Sequence, residues 1–259
     1  MLTHQELLNF EPSTNAFADK VILITGAGDG IGKAVAKAYA KAGATVILLS
    51  KTIKKLEIVY DEIVNAGHPE PAIYPMNLEG ATAKDYADMA DVIETEFGRL
   101  DGILLNAAAL PSYTPIKAYD LEQWSKVITT NLHSNFLMLK MCLPLLEKAE
   151  DASVVFSSHH AVQAYNGAYG VAKSGLDALL RILSEEYDDA PFIRVNGVDS
   201  GPLRTKLRTF HYPGENPATL APPEAIVGPY LYFMDRSAGK TTGEIVRFER
   251  LPANDTENT

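Results

Sequence analysis

The chain has 259 residues, 46% of them hydrophobic and 22% charged, with a formal charge of −10. That composition suits one large soluble α/β domain and speaks against nucleic acid as the main partner, which calls for a basic face. The single cysteine, Cys142, excludes an intrachain disulfide. No stretch approaches the ~20 apolar residues of a membrane span, and the first residues lack the pattern of a secretory signal, so a cytoplasmic location is expected.

Residues 1–18 precede the first strand and read as an outer arm. The run Val21–Thr25 is continuously apolar up to its last residue and reads as a strand covered on both faces. It leads into Gly26-Ala27-Gly28-Asp29-Gly30-Ile31-Gly32, after which the pattern of a helix over Ile31–Ala42 begins. Glycines let the backbone turn sharply and approach a pyrophosphate, and a helix N-terminus adds free N–H groups and partial positive charge. The spacing is neither G-x-G-x-x-G, since Ile31 stands at the third glycine, nor a P-loop, since Ala27 and Ala34 fail both of its ends.

The second strand, Thr45–Leu49, is followed by Ser50-Lys51-Thr52. It lacks the carboxylate that usually receives the adenosine ribose hydroxyls of NAD, so a 2′-phosphate would meet a hydroxyl and a cation there. A helix over Ile53–Ala66 comes next, then a strand, Ala72–Met76, with Asn77-Leu78 at its end. A helix over Thr82–Phe97 precedes the strand Gly102–Leu105, which ends in Asn106-Ala107-Ala108. The helical pattern Leu121–Leu146 carries Asn131 and Cys142, the latter as a buried small hydrophobe. The strand Ser153–Ser157 runs into Ser158-His159-His160, and a helix over Ala168–Tyr187 follows. The strand Ile193–Val198 leads to Ser200-Gly201 and an irregular Pro-, Thr- and Arg-rich segment, 201–223, expected to be a lid. Glu244–Phe248 is the last strand.

This alternation predicts a single doubly wound Rossmann-type domain over 1–259, an α/β fold with an about seven-stranded parallel sheet and helices on both faces. On the helix Ala168–Tyr187, Tyr169 and Lys173 stand four apart and share a face. A free phenol has a pKa of ~10, and a nearby ammonium, together with the positive nicotinamide of an oxidised cofactor, is expected to lower it towards the range useful for proton transfer.

Together, the glycine loop (T-G-x-x-x-G-I-G) and Y-x-x-x-K resemble the short-chain dehydrogenase/reductase family over about residues 20–248. The resemblance implies an oxidoreductase that moves a hydride between a nicotinamide cofactor and a ketone, aldehyde or secondary alcohol. It implies cofactor contacts at Gly26, Gly28, Asp29, Gly30, Ile31, Gly32, Ser50, Lys51, Asn77, Leu78, Asn106, Ala107, Ala108, Tyr169, Lys173 and Gly201. NADP(H) is preferred, since family members that take it commonly carry a basic residue where Lys51 stands, and NAD(H) stays open. The implied catalytic set is Tyr169 as proton donor, Lys173 on the nicotinamide ribose, Asn131 supporting a relay water and Ser158 holding the substrate carbonyl.

The interval from the strand end to Tyr169 is shorter than the family's, so an ungapped alignment would place His159 at the serine position instead; Ser158 is preferred. Departures from the family pattern are Ala108 for glycine, Asn77 for aspartate and Ser200 for proline. These motivate the alternative of a catalytically weak NADP(H)-binding sensor or scaffold. His159 and His160 lack neighbouring ligands in sequence, so no metal is expected. A small-molecule carbonyl or alcohol partner and a homodimer or homotetramer are implied. Arg204, Lys206, Arg208 and His211 in the lid either greet an anionic substrate or are solvated.

Overall fold

The computed structural model describes residues 2–253; Met1 and 254–259 of the expected domain lie outside the described residues. Seven parallel strands form one sheet in the order β3-β2-β1-β4-β5-β6-β7. They are β1 Val21–Thr25, β2 Thr45–Ser50, β3 Ala72–Pro75, β4 Gly102–Leu105, β5 Ala152–Ser158, β6 Ile193–Asp199 and β7 Ile245–Arg247. Side chains alternate across a strand, so one apolar strand feeds two cores. Ile22, Ile24, Val46 and Leu48 pack with the helices α1 His4–Leu8, α2 Gly30–Lys41, α3 Ile53–Asn65 and α9 Val227–Met234 on one face. Leu23, Ile47 and Leu49 pack with α4 Ala83–Phe97, α6 Ser134–Leu146 and α7 Gly167–Glu186 on the other. Cys142 lies in this second core, where burial pushes its thiol up to about 12.

The expected helix over Leu121–Leu146 is present and carries one π-turn. It runs as α5 Leu121–Ile128, a π-turn at Thr129–His133 and α6. The expected lid contains a short helix, α8 Lys206–His211, capped by the Thr205 hydroxyl. Leu203 and Leu220 are buried and Arg204 N–H donates to Ala221 O at 2.8 Å, so both ends of the segment are pinned.

At the N-terminal ends of the strands, away from the site described below, Asp151 gathers the buried cations Lys20 and Arg194, with the exposed Arg236 at 3.5 Å on its rim. Asp151 receives Lys20 Nζ at 2.7 Å and also pairs with Arg194 Nη1. Burial alone would raise its carboxyl, but the two cations outweigh that and hold it at about 2. Removing one partner of a buried ion cluster strands the others. Asp151→Ala is therefore expected to destabilise the protein by about 3–5 kcal/mol, readable as a fall of roughly 10 °C in Tm. Because this carboxylate is depressed on folding, its contribution is present above its ordinary pKa of ~3.9 and fades as pH falls towards 2. A thermal unfolding series in pH, wild type against variant, checks both.

Candidate active site

The sheet order reverses between β1 and β4, and in open α/β sheets ligands settle in that crevice at the C-terminal strand ends. Here the crevice is a cavity of about 820 Å³ that runs from Ser50, Lys51 and Asn77 past the glycine loop to Tyr169, Lys173 and α8. Most of the expected cofactor residues line it: Gly26, Asp29, Gly30, Ile31, Ser50, Lys51, Asn77, Leu78, Asn106, Ala107, Ala108, Tyr169, Lys173 and Gly201.

Gly28 and Gly32 do not line the cavity but shape its wall. A Cβ on Gly32 would lie 2.3 Å from Gly26 O, and one on Gly28 would lie 2.9 Å from the Lys55 Cβ. At Gly26, φ is +70° and a Cβ would meet Asn106 Nδ2 at 2.9 Å. Glycine is required at these positions because a side chain would collide with the neighbouring protein atoms, and the tight turn this permits leads straight into the N-terminus of α2. Thr25 locks it in place: its hydroxyl accepts from Asn106 N–H at 2.9 Å and Ala107 N–H at 3.0 Å and donates to Leu104 O.

Asp29, an anion beside a phosphate cradle, is tied down locally. Its carboxylate caps α2 by accepting from Gly30 N–H and pairs with Lys55 Nζ at 2.8 Å. Burial would raise its pKa, yet Lys55 and the Gly30 N–H outweigh this and it is lowered. Lys55 lines the cavity too. In sequence, nothing in the run Ile53-Lys54-Lys55 sets it apart from any helix-surface lysine.

At the other end, α7 presents Tyr169, Lys173 and Asp177 on one face. Tyr169 is 8% exposed and Lys173 3%. Lys173 Nζ donates to Ser157 O at 2.7 Å and lies 5.9 Å from the centre of the Tyr169 ring. Burial, opposed by Asp177 and Asp199, lowers Lys173 to about 8. In the protein alone Lys173 does not lower Tyr169: burial and then the nearby Asp199 carboxylate push it well up, so the phenol keeps its proton.

Ser158 needs a correction. It lines the cavity, but its hydroxyl donates to Asp177 Oδ1 at 2.5 Å rather than standing free for a substrate carbonyl. The strand runs one residue further than expected, and Asp177, two turns past Tyr169 on α7, captures the side chain at its end. The next residue, His159, lines the cavity with its ring 5.9 Å from that of Tyr169.

Asn131 sits in the π-turn, fully inside the protein, and is not a cavity-lining residue. Its amide donates to Ala109 O and Val127 O, both at 2.8 Å, and accepts from Ala109 N–H at 3.1 Å, so it fastens the loop after β4. Tyr230, from α9 on the far face, also went unseen in the sequence. Its hydroxyl contacts Ser157 Oγ at 3.0 Å, and Ser157 Oγ donates to Asn106 Oδ1 at 3.1 Å, bracing the cavity floor from below.

Of the lid cations, Arg208 is neutralised by Glu215 at 2.7 Å and lies over the Tyr212 ring. Lys206 and His211 face the cavity, and Lys206 also stands 3.7 Å from Asp29; Arg204 is not a lining residue. Among the described residues no group of three or more His, Cys, Asp or Glu is arranged to hold a metal ion, and no helix is long and apolar enough to cross a membrane.

The family model described as short chain dehydrogenase matches residues 20–216. The oxidoreductase YciK of Escherichia coli (strain K12) is 33% identical over 239 residues, covering 91% of this chain and 94% of that protein. A solved structure from Pseudomonas syringae, described as a short chain dehydrogenase, is 38% identical with a TM-score of 0.89, covering 92% of this chain and 98% of that one. Another, from Escherichia coli CFT073 and complexed with NADPH, is 33% identical with a TM-score of 0.87, covering 91% and 99%.

Proposed function

The chain belongs to the short-chain dehydrogenase family and is an oxidoreductase; from that premise we propose that it transfers a hydride between NADP(H) and a ketone, aldehyde or secondary alcohol. The observation that carries this reading is the continuity of one cavity from the Ser50–Lys51–Lys55 corner to the Tyr169–Lys173 pair. When bound, the cofactor supplies or accepts the hydride. The protein's residues do the rest.

The glycine cradle and the α2 N-terminus hold the pyrophosphate. Ser50, Lys51 and Lys55 receive the 2′-phosphate, since Asp29 beside them is already paired with Lys55 and Glu79 lies near Lys126. Tyr169, kept protonated by burial and Asp199, gives its proton to the carbonyl oxygen as the hydride adds to the carbon. Lys173 stabilises the phenolate left behind and takes the ribose hydroxyls. Asn131 positions the loop Asn106–Ala109 from beneath. The same reading makes the protein a cytoplasmic homodimer or homotetramer, supported by the exposed apolar side chains Leu121, Phe136, Val171 and Ile182 on α5, α6 and α7.

The test is thermal unfolding with NADPH, NADP⁺, NADH and NAD⁺ at matched concentrations. The phosphorylated pair should raise Tm more, by roughly 5–10 °C at about 100 times Kd. Lys51→Ala combined with Lys55→Ala should weaken NADPH about tenfold or more, because charge-assisted contacts are lost, and leave NADH nearly unchanged. An equal or larger shift with NADH contradicts the assignment of that corner.

A further inference from the structure

His159 lines the cavity with its ring 5.9 Å from that of Tyr169, and its surroundings decide what it can offer there. Its Nδ1 lies 3.7 Å from Asp199 Oδ1 at the end of β6. That carboxylate is itself buried and fixed in orientation, accepting from His160 N–H at 2.8 Å and Gly201 N–H at 3.3 Å. At 3.7 Å the approach of Nδ1 is an electrostatic contact rather than a hydrogen bond, and a buried carboxylate on the Nδ1 side favours the ring proton on Nδ1 in the neutral imidazole. The other nitrogen, Nε2, is then a bare acceptor on a side chain that lines the cavity.

The groups around the ring keep it neutral near pH 7. Burial lowers the pKa of His159; Asp199 opposes this, and Lys173 of α7, Arg208 of α8 and the adjacent His160 lower it further, for a net decrease. Tyr169, the remaining titratable neighbour on α7, holds its proton and contributes no charge. Tyr169 and His159 therefore offer the cavity unlike groups: a phenolic O–H donor and an imidazole acceptor.

A plain ketone has only acceptor atoms at its reacting end. Its oxygen suits Tyr169 and gains nothing from Nε2. A carbonyl compound with a hydroxyl on the adjacent carbon matches both groups, its C=O accepting from Tyr169 and its O–H donating to His159. Building on the oxidoreductase reading above, we infer that His159, oriented by Asp199, selects α-hydroxycarbonyl substrates and, in the reverse direction, vicinal diols. His159 would touch the substrate, and Asp199 is a positioning residue acting through it.

The experiment compares kcat/KM for NADPH-dependent reduction of 3-hydroxy-2-butanone and 2-butanone. Wild type should prefer the hydroxyketone by about tenfold or more, the effect of one hydrogen-bonded substrate hydroxyl. In His159→Ala the ratio should fall towards one, and Asp199→Asn should lower it part of the way. An NADPH-induced Tm shift in each variant reports that fold and cofactor site are intact. The wild-type ratio should also shrink in acid, at a pH below the ordinary imidazole value because burial and its cationic neighbours lower His159, since an imidazolium donates to a bare carbonyl as well.

Reduction of both ketones at equal rates, or a ratio that survives in His159→Ala, overturns this inference alone. A protein that binds NADPH but reduces neither ketone overturns this inference, and the hydride-transfer reading on which it rests falls with it only when a wider panel of ketones and aldehydes also goes unreduced.

Discussion

Tyr169→Phe is expected to lower kcat/KM for carbonyl reduction by roughly 10²–10⁴-fold, the usual worth of a positioned general acid, while NADPH binding changes little. The substitution removes one oxygen from a side chain that is 8% exposed and otherwise packed in a small cluster with Val127, Ala161 and Ala168. The ring volume stays, so the wall of the cavity stays. The proton donor is gone, and what replaces it is solvent reaching a nearly closed site. Steady-state kinetics beside an NADPH titration checks the split: kcat falls and cofactor affinity holds. Full turnover in the variant would remove Tyr169 from the chemistry.

Lys173→Met should abolish most turnover and at the same time stabilise the protein without cofactor. The ammonium is buried and its pKa is lowered to about 8, because desolvation outweighs the attraction of Asp177 and Asp199. Against an ordinary value of ~10.4, that depression corresponds to a cost on the order of 3 kcal/mol for keeping the cation in the fold at neutral pH.

The sign follows from the direction of the shift. Below about pH 8 the lysine is charged in both folded and unfolded chains, and the cost is fully present. Between pH 8 and the unfolded value, the folded chain sheds the proton first and the cost fades. Methionine fills similar volume without charge but leaves Ser157 O without its donor, which offsets about 1 kcal/mol. A net rise of roughly 5 °C in Tm at pH 7 is expected, shrinking as pH rises towards 10. A variant less stable than wild type at pH 7 would mean the lysine is held by more than the contacts described. Residues that weaken a fold where it must act are a common trade of stability for activity.

Much of this architecture was legible in the sequence because the inner strands are buried on both faces. Runs such as Val21–Thr25 and Gly102–Leu105 need no partner information to declare themselves. The glycine loop and the Tyr169–Lys173 spacing were legible because each is a local arrangement on consecutive turns.

What escaped was long-range. Ser158 is turned away from its expected role by Asp177, 19 residues on, and nothing local to β5 announces that capture. Tyr230 reaches Ser157 across 73 residues and from the opposite face of the sheet. Asp199 was missed because the strand was read as ending at Val198; one further residue in register puts it beside Ser158. The phenol was expected to be lowered by Lys173 together with an oxidised cofactor, but burial and Asp199 decide the outcome in the protein alone. A pairwise spacing shows which groups meet, and burial and a third charge then set the proton's position.

The most direct test of the central claim is NADPH oxidation by the purified protein across a panel of carbonyl compounds, with Tyr169→Phe run in parallel. The account predicts consumption of NADPH with at least one ketone or aldehyde in wild type and its loss in the variant. Firm NADPH binding without consumption across the whole panel would contradict it and leave a nucleotide-binding protein that does not use its tyrosine.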